Sequence, residues 1–215
     1  MKIGKIIGKT NRFLFTTNRA IWFHKRLSEK QQSCAAKISL TIERNNTEDV
    51  ISWLRQQKES WVVSTQEIDT ARTHHHVWLS AKYNKKIIGS IKIGINHIYI
   101  ADFNQVLLFP NDFAFIYDTF VLEPYRNKGV ARALIHEACK LMEENGFQQI
   151  GCHIPPWNTA SIKTYENNGF EQLCFIRFIQ IFGMQLMFRK SLCAQSGKQS
   201  KKLGKVTLPY ESKNL

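Results

Sequence analysis

Arg126, Gly129 and Ala131 stand in the spacing Arg-x-x-Gly-x-Ala, inside a stretch that runs from the apolar Val121-Leu122 through a basic turn into Val130-Ala131-Arg132-Ala133-Leu134. That layout is a cradle for an anionic phosphate. A helix N-terminus leaves backbone N–H groups without intrahelical partners and adds the positive end of the helix dipole, so negative charge is stabilised there without a dedicated side chain. Gly129 and Ala131 keep the backbone open to close approach. Further back, Asp118 interrupts the apolar, aromatic run Phe113 to Leu122. A carboxylate is costly in a buried strand unless it is paired or does chemistry, so Asp118 is a candidate base, with a structural hydrogen bond as the equal reading.

These residues need elements to position them. Phe113 to Leu122 reads as a central strand, and Lys128 to about Asn145 as an amphipathic helix with Val130, Leu134, Ala138, Leu141 and Met142 on one face and Gly146 as its stop. A strand from Gln148 to Ile154, a break at Pro155-Pro156, a helix around Thr159 to Asn167, and β runs at Leu173 to Phe178 and Gln185 to Phe188 follow. Upstream, Ile38 to Glu43 is a strand, Asn46 caps a helix, and Val77 to Tyr83 and Ile87 to Ile100 form a hairpin. Asn104 to Asn111 reads as a loop. Strands alternating with crossover helices predict an α/β fold with parallel pairing in mid-sheet.

Three ordered segments together resemble the GNAT superfamily of acyl-CoA N-acyltransferases. These are the strand Phe113 to Val121, the loop Arg126 to Ala131, and Asn158 to Phe170, and the likeness spans roughly Lys37 to Lys190. One departure is Glu123-Pro124, where the family more often shows Pro then Glu. The resemblance implies a mixed sheet, flanked by helices, whose central parallel strands splay around acetyl-CoA. The backbone of Asn127, Lys128, Gly129, Val130, Ala131 and Arg132 would hold the pyrophosphate, with Arg126 and Lys128 adding charge. Val121 would bond the pantetheine arm through its main chain, and Asn158 would cap its helix and touch the cofactor. Tyr165 would protonate the departing thiolate, a task suited to a phenol of high pKa. Asp118 would take the proton of the attacking amine, with Glu123 and His153 as alternatives.

The implied reaction is direct transfer of an acetyl group to a primary amine in a ternary complex, without a metal. A catalytically silent CoA-binding or scaffold protein is the rival. The acceptor is expected near Asn46 to Glu67 and Cys174 to Gln185, where Trp53, Trp61, Phe175, Phe178 and Phe182 either line a pocket or fill the core. His74-His75-His76 reads as a polar loop, since consecutive histidines cannot share one face and no partner sits at ligand spacing. Cys152 reads as a small buried hydrophobe.

At 215 residues and 43% hydrophobic content the chain suits one α/β domain with tails. The formal charge of +13 lies in those tails. Residues 1 to 36 hold eight Lys/Arg against Glu29, residues 189 to 215 hold seven against Glu211, and the stretch between holds equal numbers. We therefore expect a basic N-terminal arm over residues 1–36, a catalytic domain over 37–190 and a structureless basic tail over 191–215. The arm is expected to pack as an amphipathic segment, with weak membrane-surface contact or a transit segment as the other readings. A neutral core gives no reason to expect specific nucleic-acid binding. Five cysteines without a Cys-x-x-Cys pair favour reduced thiols and a cytoplasmic location, and no apolar run reaches the roughly 18 to 20 residues that cross a bilayer.

Overall fold

A computed structural model describes residues 15–27, 36–45, 47–57, 65–103, 105–181, 184–191 and 211–213. In chain order the elements are β1 (Phe15–Arg26), β2 (Thr41–Asn45), α1 (Thr47–Gln56), α2 (Thr65–Thr73), β3 (Val77–Tyr83), β4 (Lys86–Ile95), β5 (His97–Ile100), β6 (Gln105–Leu108) and β7 (Phe113–Val121). After a short 3-10 turn at Glu123–Tyr125 come α3 (Val130–Glu144), β8 (Gln149–Ile154), α4 (Thr159–Glu166), β9 (Glu171–Ile181), β10 (Met184–Ser191) and β11 (Glu211–Lys213).

Eight strands form one mixed sheet in the order β10-β9-β1-β8-β7-β4-β3-β2, in which β7 and β8 are the parallel pair. A second sheet joins β11, β6 and β5. On one face of the large sheet, Val130, Leu134, Ile135, Ala138 and Met142 of α3 bury against β3, β4 and β7, as their helical spacing requires. Gly129 and Gly146 bracket that helix in the left-handed region, at φ 83° and 84°, where a side chain would be strained. The other face carries an aromatic core of Trp22, Phe103, Phe109, Phe113, Phe115 and Phe178, covered by the small sheet. Beside it, α1 and α2 bury Val50, Ile51, Leu54 and Ile68 on Trp78 and Phe120.

The α/β expectation, the splayed parallel pair and the flanking helices are found. The domain boundary at residue 37 is not. Residues Phe15 to Arg26, expected as part of a separate arm, form a strand in the interior of the sheet, antiparallel to β8 on one side and β9 on the other. The physical reason is that both faces of the sheet are covered, so β1 buries Trp22 and Phe23, each 1% exposed, toward two different cores. Such two-sided burial erases the period-2 signature by which a strand is recognised. Part of the stretch expected as a loop differs as well, because Gln105–Leu108 is a strand, with Leu107 and Phe109 in the core. The tail expected without structure supplies β11, paired to β6. Residues 1–14, the Asn46 cap, Trp61, Phe182, Cys34 and Cys193 lie outside the described residues.

Candidate active site

The site begins where the central strands part. Pairing of β7 with β8 runs from Phe113↔Gln149 to Ile116↔Cys152 and stops, while β7 continues to Val121 and β8 to Ile154. On its other side β7 bulges, since Lys92 faces Asp118 and Ile93 faces Ile116, leaving Tyr117 as the extra residue. The Leu122 N–H to Ile88 O bond of 2.9 Å fixes the antiparallel phase, so that Thr119 and Val121 turn their main-chain groups away from β4 and toward the gap. An extended, amide-bearing ligand could pair there as an added strand.

Below the gap lies the basic loop. Asn127 and Gly129 are both left-handed, at φ 60° and 83°. The first intrahelical bond of α3 runs from Ala133 N–H to Gly129 O at 2.9 Å, and no side chain caps the turn before it. The amides of Val130, Ala131 and Arg132 thus stand at the positive end of a 15-residue helix, an anion seat by construction. Arg132 Nε is buried without a partner among the described residues, a polar orphan that an anion would satisfy. Arg126 Nε donates to Val121 O at 3.1 Å and so ties the loop to the strand end. Lys128 Nζ sits 5.4 Å over the Tyr125 ring. Ala36 and Lys37 cross the lip of the loop, with Lys37 N–H bonded to Lys128 O at 3.0 Å.

Asn158 caps α4 as expected, accepting from Ser161 N–H at 3.2 Å. That helix carries Tyr165, 5% exposed, whose hydroxyl lies 3.0 Å from Thr119 Oγ1 at the gap. Burial, with the neighbouring Cys152 adding to it, pushes the Tyr165 phenol well above its ordinary value, against the opposing bond from Thr119. The phenol therefore stays protonated.

A cleft of about 260 Å³ passes through the gap. Tyr165, Asn158 and Ser161 line it on the α4 side, and Glu67, Lys92, Asp118, Tyr99, Asp102 and His153 on the other. Asp118 is in the cleft but is not a lone carboxylate. Lys92 Nζ lies 3.0 Å from Asp118 Oδ2 and donates to Glu67 Oε1 at 2.7 Å, with the Lys92 side chain 2% exposed and its ammonium 4.8 Å over Trp78. Burial alone would lower the Lys92 pKa, but the charges of Asp118 and Glu67 outweigh it and the net shift is upward. Lys92 and Glu67 were missed by sequence reasoning, although Lys92 stands between Ile91 and Ile93 and invites the question that Asp118 raised.

Glu123, Cys152 and His76 are not among the residues that line the cleft. Glu123 is exposed in the 3-10 turn and away from the cleft lining. Burial pushes the Cys152 thiol well above its ordinary value. His76, expected in a polar loop, is buried, bonds His97 O through Nε2 at 2.9 Å, and has its pKa lowered to about 4, chiefly by burial. No three His, Cys, Asp or Glu residues cluster as a metal site among the described residues. Among the described residues none of the last hairpin lines the cleft, Trp53 packs edge-on to Phe120 at 5.8 Å, and Phe178 is in the core.

The Acetyltransferase (GNAT) family profile matches residues 30–170. The chain belongs to the GNAT acetyltransferase family. Among its relatives, the N-acetyltransferase YycN of Bacillus subtilis, itself uncharacterised, is 32% identical over 100 residues, which make up 46% of this chain and 57% of that protein. A GNAT-family acetyltransferase structure from Novosphingobium aromaticivorans superposes with a TM-score of 0.54 at 14% identity, over 82% of this chain and 66% of the other. A GCN5-related N-acetyltransferase from Sphaerobacter thermophilus gives 0.51 at 14% identity, over 86% and 56%. These structures share the fold. No helix among the described residues is long and apolar enough to cross a membrane.

Proposed function

We propose that this GNAT protein transfers an acetyl group from acetyl-CoA to a primary amine, by direct attack within a ternary complex. The observation that carries the reading is the alignment of three parts along one path: the anion seat at the head of α3, the main-chain groups of Thr119 and Val121 facing the gap, and the Tyr165 hydroxyl beside it. Acetyl-CoA as co-substrate supplies an activated acyl group. The amides of Val130, Ala131 and Arg132 hold its phosphates, with Asn127, Lys128 and Gly129 shaping the nest. Thr119 and Val121 align its pantetheine amides. Holding donor and amine on opposite sides of one narrow gap makes the catalysis chiefly positional. Tyr165 keeps its proton until the leaving sulfur needs it. On the acceptor side, Glu67 and Asp118 against Lys92 leave one excess negative charge, which suits an amine arriving as a cation.

Tyr165→Phe is expected to lower kcat by about a hundredfold, the low end of what general acid catalysis contributes, while acetyl-CoA affinity stays within about threefold. Turnover equal to the parent protein removes Tyr165 from the chemistry. Gly129→Glu is expected to weaken acetyl-CoA binding by about a hundredfold, or roughly 3 kcal/mol. Any Cβ at 129 would lie 3.1 Å from Ala36 Cα in a left-handed backbone, and the carboxylate would repel the phosphates. Gly129→Ala carries the strain without the charge, so calorimetry on both separates the two causes. Undiminished affinity in Gly129→Glu places the phosphates elsewhere.

A further inference from the structure

At the β10 end of the large sheet, one face stands open to solvent. That end is built from β10, β9 and β1, whereas α3 packs on β3, β4 and β7 further along. Paired residues of neighbouring strands share a face, so the register sets Thr17, Ile179 and Leu186 in one row and Arg19, Arg177 and Phe188 in the next. Lys190 follows in a third row, beside Phe175. The alternate residues of β9, Cys174, Ile176 and Phe178, point into the aromatic core, which leaves these rows on the opposite face. Arg19, Arg177 and Lys190 are exposed there, and so are Leu186 and Phe188, at 51% and 55%.

Like charges directly opposite one another across a strand pair are destabilising, yet Arg19 faces Arg177 in register. Neither of them, nor Lys190, forms an ion pair among the described residues, and the three rows hold no Asp or Glu. Leu186 and Phe188, with half-buried Ile179 beside Leu186, set an apolar patch among the cations. The stretches of chain that adjoin the face do not complement its charge. Residues 1–14 hold four Lys/Arg, residues 192–210 hold four, and neither holds an acid. A second copy laid face to face would set arginines against arginines. The complement is a surface of fixed negative charge with an apolar layer just beneath it.

We propose that the outward face of β1, β9 and β10 docks on an anionic phospholipid bilayer. Arg19, Arg177 and Lys190 meet the headgroup phosphates and carboxylates, which relieves the repulsion between the two arginines. Leu186 and Phe188 enter the boundary between headgroups and acyl chains. Nucleic acid offers the same phosphate charge but no apolar layer for Leu186 and Ile179. The surface contact expected of a basic N-terminal arm thus falls on a strand, β1, and on the two strands that extend its sheet. Docking here needs no acyl transfer, since none of these residues lines the cleft.

The test is sedimentation of the full chain with vesicles, either of phosphatidylcholine alone or with about a third of phosphatidylserine, at low and high salt. The parent protein is expected to bind the anionic vesicles, to leave the neutral ones in solution, and to be released as salt screens the headgroups. Arg177→Ser with Lys190→Ser should weaken binding by about 25-fold, or roughly fivefold for each charge removed near the surface. Leu186→Ser with Phe188→Ser keeps every charge, and should weaken binding by about tenfold through lost apolar burial. All four residues are exposed, so thermal melts close to the parent's are expected for both variants. A folded parent that ignores anionic vesicles overturns the proposal. Parent-like binding by the Arg177→Ser, Lys190→Ser protein overturns it too, because the basic termini then do the binding. Parent-like binding by the Leu186→Ser, Phe188→Ser protein reduces the contact to charge capture and removes the bilayer as its partner. A single-stranded oligonucleotide bound in preference to vesicles, or a dimer in size exclusion that either variant dissociates, gives the face another occupant and overturns the proposal as well.

Discussion

A chain beginning at residue 27 is expected not to fold. The truncation removes β1 from the interior of the sheet, where it pairs with β8 through Ile21↔Ile154 to Arg26↔Gln149 and with β9 from Phe15↔Ile181 to His24↔Glu171. Trp22 and Phe23, each 1% exposed, leave with it. Burying a large apolar side chain contributes about 1.5–3 kcal/mol, so these two alone account for roughly 3–6 kcal/mol. A domain's whole stability is about 5–15 kcal/mol. The loss also exposes the facing edges of β8 and β9, long apolar strands that invite aggregation. Expression of residues 27–215 beside the full chain, followed by circular dichroism and size exclusion, checks this. A monomeric truncated protein melting within a few degrees of the parent would show that β1 is dispensable, and the boundary at residue 37 would stand.

Lys92→Met is expected to cost about 3–5 kcal/mol of stability, the range for removing one member of a buried ion pair. Methionine fits the space above Trp78, so the loss comes from leaving Glu67 and Asp118, both only 12% exposed at the side chain, without their cation. The sign of the pH dependence follows from the raised Lys92 pKa. Its contribution is fully present below the ordinary value of 10.5 and is lost as pH rises through the higher folded value. Denaturant unfolding at neutral pH and at pH near 11 should show the parent losing its advantage over Lys92→Met in alkali. A deficit under 1 kcal/mol at neutral pH would mean the triad is solvated and uncoupled.

What the sequence disclosed, it disclosed through local chemistry. The turn from β7 into α3 announces itself because glycine geometry, basic residues and helical spacing fall within fifteen residues. Asn158 and Tyr165 share a helix whose cap reads directly. Asp118 stands out as a charge in an apolar strand, and the structure answers that anomaly with Lys92, a second charge in the next strand. Long-range placement was not legible. Nothing near Phe15 to Arg26 says that its partners lie beyond residue 148, and two-sided burial disguises its period. Asp102 and His153 are 51 residues apart, joined by the crossing of a small sheet over a large one. The bond from Arg126 Nε to Val121 O was not legible either, because charge alone does not say which acceptor a guanidinium finds.

The most direct test of the account is calorimetric titration of the full chain with acetyl-CoA, with dephospho-CoA as the control, followed by thiol release across a panel of primary amines. The account predicts micromolar binding of acetyl-CoA and amine-dependent release of one thiol per acyl group transferred. Absence of binding by a folded protein would contradict it.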